Sequence, residues 1–198
     1  MIQLRDQELR NQPVDIDEKD TYFLGPDLVV RDCTVTLRTT ARGLIISRTA
    51  FHNCEIVAKK KLSNYRWFNA FFSGCRFSGT FSGCDFGRSP EDFEPGGGIQ
   101  NCDFSEATLD ACRILNSDVH TIKFPPWPCF TIFNPGSHAE RIKAIQWPGK
   151  TRILAEVIAS FEPETVAVTF FAKDAIKRYQ VSEEELRKAI SEIPGVRL

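Results

Sequence analysis

Four short strings limit what this chain can fold into: Asp32-Cys33-Thr34-Val35, Asn53-Cys54-Glu55-Ile56, Gly74-Cys75-Arg76-Phe77 and Asn101-Cys102-Asp103-Phe104. Their cysteines lie 21, 21 and 27 residues apart, and Ile122-Lys123-Phe124 repeats the theme twenty residues further on. Each string carries a small residue, one variable residue, and then a large apolar one. A unit of about twenty residues cannot enclose an apolar core by itself, but stacked units can.

Inside each unit runs a finer step of five. From Phe104 the apolar positions are Leu109, Ile114, Val119 and Phe124, and Ile56, Leu62, Trp67, Phe72 and Phe77 step by six, five, five and five. Val35, Ala41, Ile46, Phe51 and Ile56 repeat the same steps, with the extra residue in the same place. The third unit breaks at GRSPEDFEPGGG (87–98), a Pro/Gly-rich insertion that accounts for the gap of 27. Five fits neither the helical period of 3.6 nor the strand period of two. It fits a chain that turns a corner every five residues, with the central side chain of each face pointing inwards. Four faces then close a coil, and coils stack by parallel pairing at about 4.8 Å.

The segment NCDFS-EATLD-ACRIL-NSDVH (101–120) resembles the pentapeptide-repeat family, in which a small residue precedes a central Leu or Phe by two positions. The resemblance covers about residues 30–124 and implies a right-handed, four-sided β-helix. Lys60 and Tyr65 depart from the pattern at positions that call for small side chains, so a bulge is expected at Lys59-Lys60-Lys61, with the ammonium groups outside.

The expected fold class is mainly β: a short right-handed β-helix of four to five coils, with a C-terminal α-helical or α/β extension packed on its end. Residues 1–27 read as an N-terminal cap, 28–124 as the β-helix with its inserted loop, and 125–198 as a mostly helical domain. In that last part, Ser137 reads as the N-cap of 138–145, and Ile153, Leu154, Val157, Ile158 and Phe161 as the buried face of 150–161. Ser182 and Glu185 form a capping box for 183–193. Residues 164–171 read as strand or helix, β-branching favouring strand.

In the chemistry of the side chains, Cys33, Cys54, Cys75 and Cys102 read as a buried structural ladder beside the apolar column Val35, Ile56, Phe77, Phe104 and Phe124, since buried Cys acts as a small hydrophobe. Seven cysteines without close pairing, and no secretory signal at the N-terminus, point to reduced thiols in the cytoplasm. His52, His120 and His138 form no ligand pattern, and no cofactor or metal is expected. The outward residues Glu55, Arg76, Asp103 and Lys123 read as a charge ladder. Asp85, Asp103 and Arg113 are the residues a polysaccharide-cleaving β-helix would use. The segment 172–190 has a faint helix-turn-helix outline, but its second helix opens Glu183-Glu184-Glu185, which would repel phosphates.

The expected function is therefore non-enzymatic: a protein-binding or scaffold protein, such as a bacterial immunity-type or adaptor protein. Trp127, Trp147, Lys59, Lys60 and Lys61 are the candidate partner contacts. The family resemblance also implies modulation of a topoisomerase by DNA mimicry. Residues 28–136, with 12 basic against 10 acidic side chains, argue against that reading. A carbohydrate-active enzyme is the third reading. The expected partner is another protein; neither a membrane nor a nucleic acid is expected.

Overall fold

The computed structural model describes residues 1–89 and 96–198, so residues 90–95, half of the 87–98 insertion, lie outside the described residues. The protein is mainly β, a solenoid of about four turns followed by a mixed α/β region. The first coil holds β1 (Ile2–Leu4), β2 (Glu8–Arg10) and β3 (Pro13–Ile16), and the second β4 (Tyr22–Leu24), β5 (Leu28–Arg31) and β6 (Thr34–Leu37). The third holds β7 (Leu44–Ile46), β8 (Thr49–His52) and the long bent β9 (Glu55–Ser63). β10 (Ala70–Ser73) and β11 (Arg76–Ser82) make the fourth, and β12 (Asp85–Gly87), β13 (Gly98–Gln100), β14 (Asp103–Asp110) and β15 (Cys112–Leu115) carry the ladders onward.

Every pairing between successive coils is parallel. One ladder runs β3-β6-β9-β11-β14 and another β2-β5-β8-β10-β13. Val14, Val35, Ile56 and Phe77 are direct register partners, and the Phe104 ring stacks on Phe77 at 4.3 Å between centroids. Phe81 pairs with both Leu62 and Leu109, which sets a fourth face beside the three ladders. The core is thus a column of aromatic rings: Phe72, Phe81 and Phe86 surround Phe77 at 5.1–6.0 Å. Trp67, also fully buried, stacks on Phe86; its indole N–H is the one buried side-chain donor without a partner among the described residues.

The corners explain why the small strings begin with Asp, Asn or Gly. Asn11, Asp32, Asn53, Gly74 and Asn101 all have positive φ, between 51° and 68°. These residue types tolerate the left-handed conformation that bends one face into the next. Gly79 turns another corner at φ +93°, where a Cβ would sit 2.1 Å from the Ala58 carbonyl oxygen. No other residue fits there. Opposite it, Lys59, Lys60 and Lys61 loop out between the pairs Ala58–Gly79 and Leu62–Phe81 and remain exposed, a β-bulge where one was expected.

Residues 1–27 correct the sequence reading. They are not a separate cover; they form the first coil and the start of the second, with β1, β2 and β3 paired in register on β4, β5 and β6. The string Asn11-Gln12-Pro13-Val14 is one more repeat, 21 residues before Asp32. Gln12 and Pro13 in place of Cys and a polar residue hid it.

The C-terminal region joins the solenoid instead of merely covering it. β16 (Cys129–Phe133), β17 (Thr165–Phe171) and β18 (Val196–Arg197) extend the last face in the order β12-β15-β17-β16-β18, and the new pairings are antiparallel. Of residues 164–171, Thr165–Phe171 are therefore strand. α1 (Ala139–Ala144), α2 (Arg152–Ala159), α3 (Ala172–Tyr179) and α4 (Glu183–Ser191) pack over it around Phe130, Ile132, Val168, Phe170, Leu186 and Ile190. β17 serves two cores, with Ala167 facing the solenoid and Val168 and Phe170 the helices.

Two helical details differ from expectation. His138, not Ser137, occupies the N-cap of α1, and the Ser137 hydroxyl donates to the Asn134 carbonyl in the preceding 3-10 turn. On α2 the buried residues are Leu154, Ala155 and Ile158, while Ile153 and Val157 are exposed at 53% and 44%. The three-four spacing was compatible with two stripes about 100° apart, and packing into the C-terminal core selected one. The Ser182–Glu185 capping box is present at α4.

Candidate binding surface

The outward flank of the β3-β6-β9-β11-β14 ladder presents the expected charges in register. Arg76 pairs in the ladder with both Glu55 and Asp103, its Nη1 4.0 Å from the Glu55 carboxylate, and Lys123 Nζ lies 3.2 Å from Asp103. The Thr34 hydroxyl reaches Glu55 from the coil before. Partial burial works to raise the Asp103 pKa, but bonds from the Ser105 hydroxyl and amide, with Lys123 beside it, hold it below the usual carboxylate range. Such exposed pairs contribute little stability each; they fix register and give the flank alternating sign.

Behind this flank, Cys33, Cys54, Cys75 and Cys102 are all buried and unpaired by disulfides, each thiol facing carbonyl oxygens of its own corner or the coil before. The Cys102 thiol beside it and then burial push Cys75 up to about 12, and contact with Cys75 and burial raise Cys54 further. The Cys54 and Cys75 sulfurs are protonated at neutral pH. The repeat strings did not mark a second column, in which Cys84 and Cys112 occupy the corner under Tyr65. There Tyr65 is only half-buried and leans edge-on against Trp67 at 4.7 Å, so the large side chain fits. The signal for this column was Gly83-Cys84-Asp85-Phe86, a further small-Cys-polar-aromatic string.

The proposed contact residues fall in separate places. Lys59, Lys60 and Lys61 stand on the bulge; Lys60 pairs with Glu18, and Lys59 and Lys60 line a depression of about 430 Å³ with Asp17, Glu18, Lys19 and Arg38. Both signs line it. Trp127 is half-buried at the edge of the C-terminal core: its indole N–H donates to Glu183 at 2.9 Å, and Arg187 lies over its ring at 4.8 Å. Trp147 packs on the same core and donates to the Ile142 carbonyl at 2.8 Å. Both tryptophans, expected as partner contacts, therefore tie irregular segments to the helical core.

The carboxylate and guanidinium residues considered for glycan chemistry divide as well. Asp85 is buried and accepts two 2.7 Å bonds from Arg113, while Asp103 sits on the other flank. The Asp85 bond raises the Arg113 pKa. Arg66 approaches the same carboxylate at 3.9 Å, and Glu162 and Glu164 complete a cavity of about 180 Å³. The two charge-assisted bonds occupy both carboxylate oxygens and fix the orientation of Asp85. This pair fastens β12 to β15, whose other edge pairs with β17.

His52 lies 6.0 Å from the Phe71 ring, and burial, then Arg31, lowers its pKa. No group of three His, Cys, Asp or Glu side chains that could hold a metal ion occurs among the described residues, and none of their helices is long and apolar enough to cross a membrane. No protein-family model, curated protein or solved structure matches this chain.

Proposed function

We propose that this protein is a non-enzymatic binding or scaffold protein that presents a rigid solenoid flank to another protein. The observation that carries this reading is the flank itself. Glu55, Arg76, Asp103 and Lys123 stand in one register on a backbone locked by parallel ladders, so their charges are pre-organised and cost little ordering on contact. The side chains of a catalytic alternative, Asp85 and Arg113, instead satisfy each other. The small corner residues Ala58, Gly79 and Ala107, in register across three coils, support the finer assignment to the pentapeptide-repeat type. Seven free, buried thiols favour a reducing compartment such as the bacterial cytoplasm.

The test is capture of partners on the immobilised full chain, repeated with Arg76→Glu/Lys123→Glu, which makes the alternating flank uniformly acidic without touching the core. A partner retained by the native chain and lost on the variant is the expected result, with both proteins giving the same far-ultraviolet circular dichroism. Hydrolysis of a glycan that disappears in Asp85→Asn, with no partner retained, would overturn the proposal.

A further inference from the structure

The first coil is an open template. β1, β2 and β3 are the terminal strands of their three sheets, and no strand lies on their outer side among the described residues. Their hydrogen bonds to the second coil use alternate residues. Ile2 N–H donates to the Thr21 carbonyl and Gly25 N–H to Leu4; Val29 N–H donates to Gln7 and Asn11 N–H to Arg31; Arg38 N–H donates to Ile16. The backbone groups of Gln3, Glu8, Arg10 and Asp15 therefore point away from the solenoid. Its apolar end is also incompletely covered, with Leu4 and Leu9 half-buried and Ile2 37% exposed. Edges of this kind pair with other chains unless they are blunted.

We propose that the face formed by β1, β2 and β3 binds a second copy of this chain, head to head, about a two-fold axis through Leu9. Antiparallel pairing about that residue sets Glu8 against Arg10 of the second copy and Arg10 against its Glu8. It also sets Gln3 against Asp15 and Asp15 against Gln3. These are the four residues whose backbone groups are free, and an antiparallel ladder needs them at alternate positions directly opposite each other. The same operation places Leu9 on its own counterpart, Leu4 on Val14 and Ile2 on Ile16, so each inward apolar residue of one copy meets an apolar residue of the other.

The charges decide between occupants. Glu-Leu-Arg is self-complementary when reversed, and each Glu8–Arg10 pair then appears twice, as an isologous interface requires. Within one chain Glu8 already lies 2.9 Å from Arg10 and 3.3 Å from Arg31, so the second copy adds to a formed ion cluster. Pro13, which has no N–H, falls outside the four exchanging residues and leaves no orphan donor at the seam. On the remaining side Glu18 is paired with Lys60, and Asp20 with the N-terminal ammonium, so neither is an unpaired charge there.

The test is sedimentation of the full chain over a range of concentrations, with amide hydrogen exchange at Gln3, Glu8, Arg10 and Asp15. Expected is a species of twice the 22.4 kDa mass, with those four amides more protected in the dimer than in the monomer. Arg10→Glu keeps its in-chain neighbour Arg31 but sets two pairs of like charges across the seam, and should weaken the dimer by about tenfold or more. Glu8→Arg/Arg10→Glu restores opposite charges and should recover it. A chain that stays monomeric at its highest soluble concentration overturns the proposal. So does a dimer indifferent to Arg10→Glu, or one that leaves the four amides unprotected.

Discussion

At the scale of single residues, the cysteines show how a chemically reactive side chain becomes structural. Each of Cys33, Cys54, Cys75 and Cys102 lies where a corner leaves room for a small inward group, and the thiol fills it while offering a weak donor to nearby carbonyls. The consequence is a pH dependence of stability. Contact with Cys102 and burial raise Cys75 in the folded protein from about 9.0 to about 12, and burial and Cys84 raise Cys112 as well. A thiol whose folded pKa is raised favours folding fully at pH values below 9.0; above that the unfolded chain ionises first, and the advantage is lost as pH climbs toward 12. Melting temperature should therefore be flat through neutral pH and fall between about pH 9 and 12. Circular dichroism melts across that window should show a shallower fall for Cys75→Ala.

Single elements differ in what holds them. The solenoid strands are three to nine residues long and have no stability apart from their neighbours, so their termini are set by corners with positive φ. α4 carries its own signal: the Ser182 hydroxyl accepts from the Glu185 amide, and the Glu185 carboxylate accepts from the Ser182 amide and hydroxyl, which lowers its pKa. Replacing Ser182 with Ala should lower the stability of the protein by about 1 kcal/mol, read from urea unfolding, with the fold otherwise unchanged. α1 has no such side-chain cap, and its sequence start was misplaced for that reason: Ser137 had an alternative partner in the turn before it. Strength of local signal tracks legibility. A capping box involves two side chains three residues apart, whereas a helix started by the turn that precedes it leaves no local mark.

For the whole molecule, the question is how a repeating structure ends. At its C-terminal end, β17 pairs antiparallel with β15, replacing a parallel edge by a strand whose other neighbour is β16, and its alternating side chains join the aromatic column to the helical core. A chain stopped after Pro126 would expose the β15 edge together with the end of the core. It should associate into large species by light scattering, while the full chain does not. Folding of the solenoid in isolation as a dispersed monomer would contradict this role for β17.

The amino-acid sequence alone determined the coil. An apolar residue every five positions and a left-handed-tolerant residue before each of Cys33, Cys54, Cys75 and Cys102 dictate inward columns and corners, because both requirements are local and recur with every turn. Even the first coil was present in Asn11-Gln12-Pro13-Val14, concealed by its substitutions. Tertiary structure decided the rest: which stripe of α2 is buried, that residues 165–171 form a strand, that Trp127 and Trp147 serve the helical core, and that Asp85 and Arg113 close on each other. Those outcomes depend on partners tens of residues away, Arg113 on Asp85 and Ile114 on Ala167. A periodic pattern encodes neighbours one coil away; it carries no information about a segment that meets the solenoid only once.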